Sequence, residues 1–282
     1  MLTHKKIALL SDIHGNMTAL KAVINDSRTE DVTDYWVLGD VIMQGYGASD
    51  VFDKLYSLNP AVWVRGNWDD LLLSVMKKED IDINDPTDVY IAKLGMTLLA
   101  DLTDKNIQDL KNLPLNQIKN VNGLNISIGH HLPNKNYGRE LATVGQQEAF
   151  DKLFQSEEID VAIYGHIHHQ LMRYSSSDQL IINPGSVGYP FSSRSKLRRE
   201  GRAQYAVLEI DTEGMIQVHF KQIKYDVQDE LNYSKNSQLP YQALYEEQLI
   251  HGISRTHDKT FLEKVNDAYH YTEEVKKYLN KH

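Results

Sequence analysis

The chain has 282 residues, a formal net charge of −9 at neutral pH, 41% hydrophobic and 24% charged residues, and no cysteine. This balance fits a globular protein with one large α/β core plus additions, and excludes collagen-like and disordered chains. The acidic charge argues against general binding to polymeric nucleic acid. Without thiols there are no disulfides, thiolate ligands or cysteine nucleophile, so any metal must be held by nitrogen and oxygen.

The first apolar run, residues 7–10, is too short for a signal-peptide core or a membrane span, so a cytoplasmic location with no membrane partner is expected. Short β-branched runs at 5–10, 35–38, 61–64, 124–128, 161–164 and 180–182 read as strands. Helical patterns at 17–25 and 145–154 lie between them, which suggests βαβ units. From Trp68 to Pro114 the pattern becomes helical, with Asp85-Pro86 as a start signal and a stripe through Tyr90, Leu94 and Leu98. This stretch is expected to be an insertion that caps the site. Residues 204–210 and 215–223 flank Asp211-Thr-Glu-Gly214 and read as a hairpin continuing a second sheet.

From Pro240 two further helices are expected, the second opening with a Thr260/Glu263 capping box and carrying a stripe through Phe261, Val265, Ala268, Thr272, Val275 and Leu279. That stripe packs either on the core or at a homodimer contact. The expected division is a domain over 1–225, containing the insertion at about 68–114, and a helical extension over 226–282.

Small polar clusters stand near the strand ends: Asp12-x-His14, Gly39-Asp40, Gly66-Asn67-Trp68-Asp69, His130-His131, Gly165-His166-Ile-His168 with His169 after it, and Asn183-Pro-Gly-Ser-Val-Gly188. Loops beyond the carboxyl ends of an open α/β sheet converge on one crevice, so these residues can meet there. Singly, each has a plain explanation as a helix cap, a turn residue or a surface histidine. Together, Asp and His at strand ends offer the donor set of first-row transition metals. His4, His219, His251, His257, His270 and His282 lack this context and read as surface residues.

At these clusters the chain resembles the calcineurin-like metallophosphoesterases, particularly their small bacterial and archaeal phosphodiesterase branch, over roughly residues 5–225. The resemblance implies a four-layer α/β/β/α sandwich and two divalent ions, Mn or Fe foremost, with Zn, Co or Ni also suited. It implies that Asp12, His14, Asp40 and His168 hold one ion and that Asp40, Asn67, His130 and His166 hold the other, with Asp40 shared. Asp40 and Asn67 then serve the reaction directly, and Asp69 stands behind them. Two such ions activate a water and aim it in line with the leaving group.

Many relatives place a histidine between the Asn and Asp of the third block as general acid. Here that residue is Trp68, whose indole cannot deliver a proton. Either His131 or His169 protonates the leaving group, or the substrate releases an already stable anion. The second alternative favours diesters and anhydrides, such as nucleotides or dinucleoside polyphosphates. Trp68 either stacks on such a substrate or simply packs. Arg194, Lys196 and Arg198 belong to a run with five basic residues in nine, which reads as a phosphate clamp or a solvated loop. The rival readings are a phosphomonoesterase or protein phosphatase using the same site, a non-catalytic binding scaffold, and a nuclease.

Overall fold

The computed structural model describes residues 3–192, 194, 196–197 and 201–280. In chain order the elements are β1 (Lys5–Leu10), α1 (Met17–Thr29), β2 (Asp34–Val37), α2 (Ser49–Tyr56), β3 (Val62–Trp63), α3 (Asn67–Lys77), α4 (Pro86–Leu99) and α5 (Asp104–Asn112). Next come β4 (Asn116–Val121), β5 (Leu124–Gly129), α6 (Gln147–Asp151), β6 (Val161–Ile163), β7 (Gln170–Tyr174), β8 (Leu180–Pro184), β9 (Arg202–Ile210) and β10 (Ile216–Lys224). Four helices follow: α7 (Val227–Asn236), α8 (Gln242–His251), α9 (Lys259–Ala268) and α10 (Tyr271–Asn280).

Two five-stranded mixed sheets form, ordered β10-β9-β1-β2-β3 and β4-β5-β6-β8-β7. Strand alternation sorts their side chains into layers. On β1, Ile7 and Leu9 face the second sheet and join Trp36, Leu38, Ile126, Ile128, Val161 and Ile163 in the core between the sheets. Their neighbours Ala8 and Leu10 face the other way, onto a core with Leu20, Val23 and Phe52 of α1 and α2. The outer face of the second sheet, through Ala162, Tyr164 and Ile181, is covered by Phe150, Leu153 and Leu141. The four-layer α/β/β/α order is therefore present, with its outermost layer reduced to α6 and loops.

The hairpin of β9 and β10 does not continue the second sheet. It pairs antiparallel with β1, from Lys5 opposite Ile210 to Leu9 opposite Ala206, and so extends the first. Spacing alone cannot choose the partner, because β9 is apolar on both faces and suits either sheet. The pattern over 145–154 condenses to the short α6, since Leu153 and Phe154 close tighter turns back onto Phe150 and Asp151. Edge strands β4 and β7 carry polar, half-exposed sequences with no apolar run to announce them.

The helical stretch after Trp68 is α3, α4 and α5. Asp85 caps α4 through the Thr87 N–H, Pro86 stands at its first turn, and Tyr90, Leu94 and Leu98 are buried.

Among the described residues, the stretch from Pro240 holds three helices, α8 to α10, rather than two, and α7 precedes it. Asp226 caps α7, whose polar sequence hides it, and Asp258, not Thr260, caps α9 by accepting the Phe261 N–H. The stripe is broken at His270, which adopts a positive φ of 57° and separates α9 from α10. Both helices pack on α4. Leu262 joins the core beneath the first sheet, and Val275 meets Val75, Val89 and Ala92. Among the described residues, no helix is long and apolar enough to cross a membrane.

Candidate metal centre

The crevice is built from the ends of β1, β2, β5 and β6, the start of α3 and the loop after β8. The first two loops are laced together: Asp12 N–H donates to the Gly39 carbonyl at 3.1 Å and His14 N–H to the Asp40 carbonyl at 2.9 Å. Asp12, His14, Asp40, His166 and His168 all have positive φ, between 52° and 69°. Non-glycine residues rarely hold this conformation, and its concentration on five site residues marks a backbone strained to aim side chains at one point. Glycine is required beside them. A Cβ on Gly39, itself at φ 88°, would lie 2.5 Å from the Gly66 nitrogen, and one on Gly66 would collide with the Asp40 carboxylate.

The loop after β8 acts as a brace. Asn183 donates to the Gly165 carbonyl at 2.6 Å, the Ser186 hydroxyl donates to the Asp12 carbonyl at 2.7 Å, and the Val187 and Gly188 N–H groups donate to the Ser11 and Asp12 carbonyls. The Asn-Pro-Gly-Ser block thus positions the loops bearing Asp12 and His166 without entering the crevice itself.

Two groups of metal-binding type result, Asp12 with His14 and His168, and Asp40 with His130 and His166. In the first, Asp12 Oδ1 lies 3.2 Å from His168 Nε2 and 3.9 Å from His14 Nε2. In the second, Asp40 Oδ2 lies 3.2 Å from His130 Nε2, and it also reaches to 3.7 Å from His14 Nε2. Asp40 therefore faces histidines of both groups. Asn67 Oδ1 completes the second, 2.8 Å from His166 Nδ1 and 3.2 Å from His130 Nε2.

The donor atoms fit divalent ions. His130 Nδ1 donates to the Leu38 carbonyl at 2.6 Å and His168 Nδ1 to the Tyr189 carbonyl at 2.6 Å, which leaves each Nε2 lone pair turned inward. With His166 Nε2 donating to the Gly138 carbonyl at 2.8 Å, its Nδ1 and the Asn67 oxygen confront each other as two acceptors. Asp12 Oδ1 is buried with no hydrogen-bond partner, and His14 Nε2 faces His168 Nε2 at 3.1 Å. Cations satisfy such converging lone pairs; protons satisfy only some of them.

The buried carboxylates demand positive charge in the crevice, which protons on the imidazoles or metal ions in their place would supply. Burial opposes charge on Asp12, yet His168, His130 and His14 hold its pKa far below the ordinary carboxylate value. Burial likewise opposes charge on His130, but the Asp40 carboxylate prevails and pushes its pKa up to about 10. Burial lowers His14 to about 4, so that ring is neutral and free to ligate.

Asp69 is wholly buried and accepts the N–H groups of Asp40 at 3.0 Å, Val41 at 3.1 Å and Gly66 at 2.8 Å. Burial first and the Asp40 charge second raise its pKa to about 7. It holds the Asp40 turn rather than facing the crevice. Trp68 donates its backbone N–H to Asp40 Oδ1 at 2.8 Å, and its ring meets His14 edge-on at 6.0 Å.

The open cleft above these groups has a volume of about 250 Å³ and is lined by Gln44, Trp68, His166, Ile167, His168, Tyr189, Phe191, Ser254, Thr256 and His257. His131 is not among the lining residues. It lies buried behind His166, rings edge-to-face at 5.0 Å, and burial lowers its pKa to about 3. His169 packs on Phe191 at 5.6 Å with its Nδ1 on the Ile167 carbonyl, behind two lining residues and not itself among them. Arg194 and Lys196 are exposed and do not line the cleft, and Arg198 lies outside the described residues. Conversely, His257, read from sequence as a surface residue, stands on the rim. Its segment is brought there by α8 and α9, and nothing in the local sequence announces that. The rim thus combines Trp68 of α3 with Ser254, Thr256 and His257, which lie between α8 and α9.

The calcineurin-like phosphoesterase superfamily domain matches residues 6–213. The chain belongs to this superfamily. It is a metallophosphoesterase with two candidate metal sites made of His and Asp. An uncharacterized protein of Methanocaldococcus jannaschii is 26% identical over 258 residues, covering 83% of this chain and 93% of that one. Among solved structures, a metallophosphoesterase from Sphaerobacter thermophilus superposes with a TM-score of 0.65 at 23% identity, over 88% of this chain and all of that one. A hypothetical protein from Pyrococcus horikoshii OT3 gives 0.70 at 19% identity, over 88% and 99%. The family match stops at residue 213, whereas the two solved chains align over most of this metallophosphoesterase's length.

Proposed function

We propose that this metallophosphoesterase hydrolyses phosphodiester or phosphoanhydride bonds of small substrates such as nucleotides or dinucleoside polyphosphates. The carrying observation is the cleft lining: beside His and Asp donors for two ions stand Trp68, Ile167, Tyr189 and Phe191, and no lysine or arginine lines the cleft among the described residues. A monoester brings one organic group; a diester, like a dinucleoside polyphosphate, brings two, which suits aromatic walls.

Two divalent ions in this site supply an activated water nucleophile and neutralise charge gathering on the phosphoryl oxygens. Mn or Fe suits the imidazole and carboxylate set, with Zn, Co or Ni also accepted. The chain's own part is preorganisation. Leu38, Gly138 and Tyr189 carbonyls fix the ring orientations of His130, His166 and His168, and Asp69 fixes Asp40. Asn67 directs its amide oxygen into the second group. Trp68 and Phe191 hold the organic substituents. We assign residues 1–225 to the catalytic unit and 226–282 to a helical extension that finishes the rim. The lack of cysteine suits work in the reducing cytoplasm.

The test compares hydrolysis of bis-p-nitrophenyl phosphate and p-nitrophenyl phosphate after chelation and after adding back Mn²⁺. Metal-restored activity is expected to favour the diester. Activity confined to the monoester would replace this reading with a phosphomonoesterase, and bound metal with no turnover of either substrate would favour a binding scaffold.

A further inference from the structure

Trp68, between Asn67 and Asp69, carries an indole that cannot deliver a proton, and His131 and His169 do not line the cleft. Among the described lining residues, His166 and His168 belong to the metal-binding groups, and the Tyr189 hydroxyl is buried. Ser254 and Thr256 share a hydroxyl contact at 3.2 Å, and neither alcohol is an effective acid near neutral pH. The remaining imidazole in the described lining is His257, exposed and in the same cleft as His166 and His168. We propose that His257 is the general acid, giving its proton to the departing oxygen.

The segment carrying His257 is anchored as a proton donor requires. Arg255 pairs with Glu247 through two hydrogen bonds of 2.9 Å and with Asp258 through a third, tying the end of α8 to the cap of α9. Its guanidinium also lies 4.7 Å over the Phe261 ring. Next in sequence, Thr256 is buried and its carbonyl accepts the Thr87 hydroxyl from the first turn of α4 at 3.2 Å. Gln248 of α8 donates to Gln44, itself on the cleft wall, at 2.7 Å. The imidazole is therefore presented from a bracket fixed on both sides, while its exposure allows exchange of protons with water.

In the reaction, a water oxygen forms the new bond to phosphorus and releases one proton to solvent. The bond from phosphorus to the leaving oxygen breaks with its electron pair on that oxygen, which takes the proton of protonated His257. Neutral His257 then regains a proton from solvent, so one water is consumed for each ester cleaved.

This inference rests on the diesterase reading, and the experiment separates the two. Methyl aryl phosphates would be assayed with Mn²⁺, with leaving groups from p-nitrophenol, a stable anion, to unsubstituted phenol, a poor one. His257→Ala and His257→Gln are expected to lose about 100-fold more rate on the phenyl ester than on the p-nitrophenyl ester. Added imidazole should restore part of the phenyl-ester rate to His257→Ala. Metal content, measured by inductively coupled plasma mass spectrometry, should equal that of wild type. A loss equal across the series, no loss, or reduced metal content would overturn the role of His257 while leaving the diesterase reading intact. Wild type inactive on every member of the series would remove that reading, and this inference with it.

Discussion

The buried carboxylate of Asp69 accepts the backbone N–H of Asp40 at 3.0 Å, so one acid holds the turn that presents another to both metal-binding groups. Its second oxygen accepts Val41 N–H and the first also takes Gly66 N–H, which ties the β2 and β3 loops together. Asp69→Asn keeps the shape but places an NH₂ against backbone N–H groups. A metal affinity lower by about 10- to 100-fold is expected, with a stability loss of about 1–3 kcal/mol. Calorimetric titration with Mn²⁺ together with urea unfolding checks both values, and unchanged affinity would show that the Asp40 turn holds itself.

Trp68 lies on the cleft wall and its ring stands edge-on to His14. Trp68→His exchanges an aromatic wall for a titrating group. Activity on phosphate esters with alkyl leaving groups is expected to rise about tenfold relative to that on aryl diesters. If aryl and alkyl substrates change by the same factor, Trp68 does not govern the choice of leaving group.

Leu262 of α9 is fully buried in the core that also holds α1 and β1 side chains. Leu262→Ala is expected to destabilise the whole protein by about 2–5 kcal/mol in a single transition. Chemical denaturation followed at once by tryptophan fluorescence and far-ultraviolet circular dichroism tests this. Trp36 is buried between the sheets, whereas Trp68 lines the cleft with Ser254, Thr256 and His257. Two separate transitions, the first with loss of helix, would mean that residues 226–282 unfold alone.

Glu230 accepts Thr18 N–H at 2.9 Å and the Tyr245 hydroxyl at 3.0 Å, and burial raises its pKa above the ordinary 4.5 despite these bonds. The folded chain thus holds this proton more tightly than the unfolded chain. The contribution of Glu230 is most favourable below pH 4.5 and is lost as pH rises through the raised folded value. In Glu230→Gln the amide oxygen can accept Thr18 N–H and the NH₂ can donate to Tyr245. The stability of the variant relative to wild type should therefore increase with pH above about 4.5. Parallel urea midpoints from pH 4 to 8 would contradict the assignment.

Much of the site was legible because it depends on local chemistry repeated at strand ends. Gly39-Asp40 and Gly66-Asn67 advertise backbone turns that few other residues tolerate, and Asp12, His14, His166 and His168 sit in positive-φ turns directly after apolar strands. Strands β1, β5 and β6 were legible for the same reason: they are central and apolar. Edge strands β4 and β7 were not, because half-exposed strands need no apolar run. The hairpin's partner was hidden because β9 is buried on both faces. His257 was hidden for a different reason, since its place on the rim is set by Arg255, Thr256 and the packing of α9 on α4, all of them contacts distant from the metal-binding clusters.

The most direct measurement is the Mn²⁺ stoichiometry of chelator-stripped, re-equilibrated protein for wild type and Asp40→Asn. Two ions per wild-type chain are expected, with fewer in the variant, because Asp40 faces histidines of both groups. A single ion in wild type, or two retained by Asp40→Asn with unchanged affinity, would contradict a dinuclear centre sharing Asp40.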